Sequence, residues 1–180
     1  MSVSRVRIRL IARLAQAAGL CAITVAYAGA QERQPAEINP IKWTLKPLHP
    51  AKPLNAGDKF TLQLTAAIED GWHLYSTEEM PQGPKPTRIV LIPNQPFDLS
   101  DIDSPAPLRA VDPNFGAETE FYEHSATFAL AMQVKSDAAA GTHKLVVQVR
   151  YQSCTETLCL LPRLVTIEVE VQIANAAKTN

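Results

Sequence analysis

Long apolar runs are missing from all but the first 30 residues, so nothing beyond that point has the length of a membrane span. Basic residues are in no excess. The 17 Lys and Arg stand against 18 Asp and Glu, which removes the electrostatic case for nucleic acid as a partner. No window carries the apolar spacing of an amphipathic helix. The Ala138–Ala140 run is too short, and 14 prolines spread along the chain break the alternatives. Cysteine is limited to Cys21, Cys154 and Cys159, and the last two lie so close together that the inter-sheet disulfide of antibody domains is impossible. His49, His73, His124 and His143 are scattered and form no ligand-spaced set. Internal repeats and low-complexity tracts are absent as well.

The N-terminus is the exception to this evenness. Met1–Arg13 holds Arg5, Arg7, Arg9 and Arg13 and no acid, an apolar run follows from Leu14 to about Ala28, and small residues fall at Ala26-Tyr27-Ala28 and Ala28-Gly29-Ala30. A positive n-region, an apolar h-region and an A-x-A site describe a secretory signal peptide over 1–30. An uncleaved anchor is the alternative, since the segment could just span a bilayer. Lipid attachment at Cys21 is disfavoured by Leu20, where such signals want a small residue. Cleavage would remove four of the 17 basic residues and one cysteine, leaving 13 against 18 acids, a net charge of −5, with Cys154 and Cys159 as the two thiols. Roughly 150 residues then remain, enough for one domain with its own core.

In that remainder, 31–41 reads as a polar leader, 42–173 as the domain and 174–180 as a disordered tail. Period-two alternation marks half-buried strands: Phe60, Leu62, Leu64, Ala66 and Ile68; Leu145, Val147, Val149 and Tyr151; Val165, Ile167, Val169, Val171 and Ile173. Trp43 and Leu45 start a further strand, and Thr87–Ile92, Phe97–Ile102 and Leu108–Val111 are weaker candidates. Phe121, Phe128, Leu130, Met132 and Val134 suggest one long strand or two with a kink. Turn signals separate these runs at Asn55-Ala56-Gly57-Asp58, Glu69-Asp70-Gly71 and Ser136–Gly141, and the proline-rich Met80–Pro86 must be loop. About seven to nine short antiparallel strands in one domain point to an all-β, immunoglobulin-like β-sandwich. Trp43 and Trp72 are expected in the core, Tyr151 as a packed residue whose hydroxyl reaches the surface, and Glu118 and Glu120 in solvent.

The strongest pair of strands encloses Cys154 and Cys159, four residues apart, and Pro162. An antiparallel hairpin would set the two cysteines on facing positions at its end, with Cα atoms about 4.5–5.5 Å apart, within disulfide range. Three readings of the pair then compete. A structural staple suits an exported protein, but closing about six residues is worth only ~2 kcal/mol by chain entropy. Metal binding would lack a second ligand pair; a copper site would have to add Met80 or a histidine. Reversible thiol–disulfide exchange needs a thiolate, a resolving partner and restricted access.

Three segments bear on the choice. YQSCTETLCLLP around the cysteines, EDGWHLYS at Glu69–Ser76, and DPNFGAETEFY at Asp112–Tyr122 resemble, in the same order, motifs of the DsbD N-terminal domain family, the periplasmic domain of bacterial thiol:disulfide interchange proteins. The resemblance spans roughly Trp43 to Ile173. It implies an immunoglobulin-like fold, a periplasmic location, no cofactor and no metal. It implies an electron carrier that takes reducing equivalents from a thioredoxin-like donor and passes them to oxidised periplasmic proteins, among them disulfide isomerases and cytochrome c maturation thioredoxins. By position, Cys159 would engage partners and Cys154 would resolve the mixed disulfide. Phe115 would cap the sulfurs. Tyr75 and His73, the latter where the family often has an aromatic, would line the same pocket, with Asp112 the acid nearest the cap.

The chain departs from the pattern in three ways. Its cysteines are one residue closer together than in the best-known member. Pro113 and Asn114 stand where that member has acids before the cap phenylalanine, with Asp112 a step further back. No stretch of these 180 residues reads as the membrane-embedded or C-terminal thioredoxin-like domains, so the expectation is a stand-alone monomeric carrier that takes its electrons from another protein, a separate membrane-embedded reductase being one candidate. A non-catalytic immunoglobulin-like binding module, stapled by a hairpin disulfide, is the alternative function.

Overall fold

The computed structural model describes residues 37–49 and 52–175; the expected signal peptide, most of the leader and the last five residues of the tail lie outside them. Eleven strands and no helix are found in this part: β1 (Ile41–Pro47), β2 (Lys59–Ile68), β3 (His73–Tyr75), β4 (Arg88–Leu91), β5 (Phe97–Asp103), β6 (Leu108–Asp112), β7 (Ala117–Tyr122), β8 (Ser125–Val134), β9 (Gly141–Tyr151), β10 (Ser153–Cys154) and β11 (Arg163–Ile173). The strands form three sheets, ordered β1-β2-β8-β5, β11-β9-β4 and β10-β3-β7-β6, and every pairing within them is antiparallel. The all-β, immunoglobulin-like class is therefore the observed one. The strand that the sequence suggests at Trp72–Tyr75 is β3; the count exceeds the expected seven to nine because Glu120–Val134 divides in two and β10, two residues long, is too short to alternate visibly.

The first two sheets form the sandwich. Leu62, Leu64 and Ala66 of β2, Phe128, Leu130 and Met132 of β8, and Leu145, Val147, Val149 and Tyr151 of β9 join one buried cluster. Each wholly buried Leu, Val or Phe side chain contributes about 1.5–3 kcal/mol through water release, and the alternate residues of the same strands face outward. β9 and β11 pair along their whole length, from Tyr151↔Arg163 to Gly141↔Ile173, as the expected hairpin. Trp43 and Trp72 pack against this core. β1 begins at buried Ile41, one residue inside the stretch expected to be leader.

The third sheet carries the site, and two abrupt corners join it to the sandwich. The Glu120–Val134 segment is two strands rather than one. β7 belongs to the third sheet and β8 to the first, and His124, with φ of 59°, turns the chain between them. At Gln152 the chain leaves β9 and enters β10. Gln152 holds this corner by accepting a bond from the Lys85 N–H (2.8 Å) and donating Nε2–H to the Leu160 carbonyl (3.2 Å). Two expectations fail here for physical reasons. Tyr151 is wholly buried, with its hydroxyl under Asn39 (3.4 Å) rather than at the surface. Glu120 is drawn out of solvent, its side chain 13% exposed, by an ion pair with Arg109 and a hydrogen bond from Ser76 Oγ (3.2 Å).

Candidate functional site

Cys154 and Cys159 are joined in a disulfide with Cα atoms 4.1 Å apart. They do face each other, but across a turn of their own rather than at the end of the β9–β11 ladder. The Thr155 N–H donates to the Leu158 carbonyl (2.8 Å), and the Leu160 N–H to the Ser153 carbonyl (3.0 Å). Thr155 Oγ1 accepts from the N–H groups of Thr157 (3.3 Å) and Leu158 (3.0 Å), which suits a hydroxyl residue opening a tight turn. The first arm of this turn is β10, and it pairs with β3: Ser153 opposite Leu74, and Cys154 opposite His73. The two sulfurs differ in access. Cys154 has no exposed surface, whereas Cys159 is partly exposed between the exposed side chains of Leu158 and Leu161.

β3 then pairs with β7 (Leu74↔Tyr122, Tyr75↔Phe121), and β7 with β6 (Asp112↔Ala117 at the closed end). Directly opposed residues share a sheet face, so Cys154, His73, Tyr75 and Phe121 lie on one side. Phe115 sits in the turn between β6 and β7. Its ring stands edge-on to Tyr75 with centroids 5.9 Å apart, and it is half-buried.

Asp112 organises that turn. It is 3% exposed, and both its carboxylate oxygens are used. Oδ1 accepts from the Asn114 N–H (2.8 Å) and Asn114 Nδ2 (3.0 Å); Oδ2 accepts from the Tyr75 hydroxyl (2.6 Å). The Asp112 carbonyl accepts from the N–H groups of Phe115 (3.2 Å) and Gly116 (2.8 Å), and Gly116 closes the turn with φ of 63°, where a side chain would be strained. Asn114 also donates Nδ2–H to the Thr155 carbonyl (2.8 Å). The Phe115 turn is thus hydrogen-bonded directly to the cysteine turn.

His73 completes the group. Its Nε2 lies 3.0 Å from Tyr75 Oη and 3.5 Å from Asp112 Oδ2. Its ring packs on Tyr75 and on Phe121, with centroids 5.0 and 4.9 Å away. Burial lowers the His73 pKa, and Asp112 only partly offsets this. Burial likewise drives the Tyr75 hydroxyl far above its ordinary range, reinforced by Asp112. For Asp112 burial pushes the carboxyl up, but the hydrogen bonds from Tyr75 and Asn114, with the nearby His73, outweigh it and leave the carboxyl low.

All six residues singled out from the sequence are therefore neighbours around the third sheet. Three contributors were not anticipated: Asn114, Thr155 and Phe121. Asn114 had a visible signal, since Asp-x-Asn is a combination that closes turns through side chains. Among the described residues no group of three His, Cys, Asp or Glu side chains is placed to hold a metal ion, and no helix is long and apolar enough to cross a membrane.

The domain is all-β and carries a disulfide in a turn, with Cys154 buried and Cys159 partly exposed, beside a polar hairpin turn. The chain belongs to the family described as "Thiol:disulfide interchange protein DsbD, N-terminal", whose sequence profile matches residues 45–171. Among solved structures it is similar to the Neisseria meningitidis DsbD N-terminal domain in the reduced form, with 20% identity over 62% of this chain and 77% of that one, and a TM-score of 0.44. It is also similar to the N-terminal periplasmic domain of ScsB from Proteus mirabilis, with 16% identity over 66% of this chain and a TM-score of 0.44; there it spans 43% of the other chain. No match to a curated protein was found.

Proposed function

We propose that this protein is a periplasmic thiol–disulfide carrier. Reduced, it gives two electrons to an oxidised periplasmic protein; oxidised, it is recharged by a thioredoxin-like donor, which a separate membrane-embedded reductase could present. Cytochrome c maturation thioredoxins and disulfide isomerases are the proposed acceptors. Cys159 engages the partner, Cys154 resolves the mixed disulfide, and the Phe115 turn, with Tyr75, His73 and Asp112 beneath it, restricts access. Export through a signal peptide over 1–30 and a single domain over 42–173 belong to the same reading.

The observation that carries it is the asymmetry of the pair. An attacking thiol must be reachable by a second protein, and a resolving thiol must be kept from it. Cys159 is partly exposed and Cys154 is fully buried, which supports those roles in that order. A staple would have no use for the difference.

The test uses the reduced Cys154→Ser and Cys159→Ser variants, each mixed with a purified oxidised thioredoxin. The expected result is a stable mixed disulfide through Cys159 in the Cys154→Ser variant and none in the other. Failure of both variants to capture the partner would overturn the carrier reading in favour of a binding module with a structural bridge.

A further inference from the structure

We propose that His73 accepts the proton of the Cys154 thiol when that thiol closes the disulfide. The inference rests on the carrier reading and assigns a proton-transfer role within it.

The placement comes from the ladder. His73 is the residue directly opposite Cys154 across β3 and β10, so both side chains rise from the same face of a two-strand junction. Cys154 is wholly buried, and solvent cannot easily take its proton.

The hydrogen bonds then fix the tautomer. A tyrosine hydroxyl has one proton, and Tyr75 gives it to Asp112 Oδ2 at 2.6 Å, because an ionised carboxylate can only accept. Tyr75 Oη is left to accept, and the group within reach is His73 Nε2 at 3.0 Å, which must therefore carry its hydrogen. Nδ1 is the nitrogen left with a free lone pair. When Nδ1 takes a proton, the resulting imidazolium has Asp112 Oδ2 3.5 Å from Nε2 to balance its charge. Burial holds the imidazole neutral near pH 7, as an acceptor requires.

The proton has a way out. His73 opens onto a polar cleft of about 370 Å³ that Glu123, Thr155 and Glu156 also line. The titratable groups facing the imidazole are Tyr75 on its own strand, Asp112 from the end of β6, Glu123 after β7, and Glu156 with the two cysteines on the facing turn. Phe121 packs on the ring and carries no charge.

The step balances as follows. Cys159 Sγ is already bonded to a partner sulfur. Cys154 Sγ loses its proton to His73 Nδ1 and attacks Cys159 Sγ. The Cys154–Cys159 bond forms and the Cys159–partner bond breaks. The electron pair of the broken bond leaves on the partner's sulfur as a thiolate, which water then protonates. The carrier is oxidised by two electrons over the cycle and the partner's disulfide is reduced by two.

The full chain carrying Cys21→Ser, so that Cys154 and Cys159 are its two thiols, separates the two stages by colour when reduced and mixed with 5,5′-dithiobis(2-nitrobenzoate). The first nitrothiolate leaves when Cys159 attacks, the second when Cys154 resolves. In His73→Gln, which can still donate to Tyr75, the second release should slow on the order of a hundredfold, the lower end of what a positioned proton acceptor gives. The first release, which absorbs any change in access to Cys159, is the internal reference, and the slowing is read as the ratio of the second rate to the first. The second release should also lose its wild-type plateau above the His73 titration and rise with pH throughout. His73→Phe, which keeps the ring stacked on Phe121, should behave the same way and guards against a folding artefact in the first variant. Resolution at the wild-type rate and with the wild-type pH profile in both variants would overturn the His73 role. A Cys154→Ser variant that fails to retain the nitrothiolate on Cys159 would instead overturn the carrier reading beneath it.

Discussion

Asp112 is buried and accepts five hydrogen bonds, three at its carboxylate and two at its carbonyl, so its loss should be felt in stability as well as at the site. Tyr75→Phe removes the 2.6 Å bond to Oδ2 and leaves that buried oxygen short of a donor. The expected cost is about 1–3 kcal/mol, read as a lower urea midpoint at pH 7. The pH dependence has a definite sign. Asp112 is lowered from its ordinary 3.8, so its contribution is complete above that value and is lost as pH falls through the folded pKa. His73 is lowered from its ordinary 6.5. Below that value the unfolded chain takes up a proton that the folded one refuses, and stability again declines as pH falls. The wild-type protein should therefore lose stability in two phases, one starting near the ordinary histidine pKa and one below the ordinary carboxylate pKa. His73→Phe should abolish the upper phase, and Tyr75→Phe should move the lower phase to higher pH. A urea midpoint that is flat from pH 7 to 5 in the wild type would contradict the histidine half of this account.

The closed end of the β6–β7 hairpin is tied to the cysteine turn by one side-chain bond, Asn114 to the Thr155 carbonyl. A single hydrogen bond is worth about 1 kcal/mol, roughly a fivefold change in a closed–open equilibrium. Asn114→Ala should therefore leave the thermal midpoint nearly unchanged while reduced Cys159 reacts with iodoacetamide several-fold faster; an unchanged rate would mean that the hairpin does not govern access. This tie also marks where reading the chain by eye stops. Alternation over Phe60–Ile68 and Leu145–Tyr151 shows β2 and β9 because each has one face in the core. Phe121 is out of step with Phe128, Leu130, Met132 and Val134, but the strand's change of sheet at His124 has no further mark, since histidine tolerates a positive φ and no glycine or proline stands at the corner. β10 was hidden for another reason: two residues cannot alternate, and their partner β3 lies some eighty positions earlier. The family resemblance directed attention to Phe115, Tyr75 and the cysteines, but it could not show that Asp112 would be buried, because a carboxylate in a hairpin turn ordinarily faces water.

Across the whole molecule, the disulfide lies outside the apolar cluster. That cluster draws mainly on the two sandwich sheets and takes Leu74 of β3 and Tyr122 of β7 from the third, while the bond between Cys154 and Cys159 closes a turn on an edge strand of the third sheet. Cross-linking positions only five apart in sequence removes little freedom from the unfolded chain, about 2 kcal/mol in the chain-entropy account. A bridge whose purpose was to hold the fold would sit better between distant strands, where a loop of a hundred residues would contribute roughly twice as much. Reduction should then lower the denaturation midpoint by an amount matching about 2 kcal/mol and leave the far-ultraviolet dichroism of the β-sandwich intact. The same weak coupling makes the thiol form readily accessible, so the couple equilibrated against glutathione should lie above the roughly −300 mV below which structural bridges fall. Unfolding on reduction, or a potential deep in the structural range, would mean that the fold depends on the bond, and a domain that must stay oxidised to stay folded cannot carry electrons.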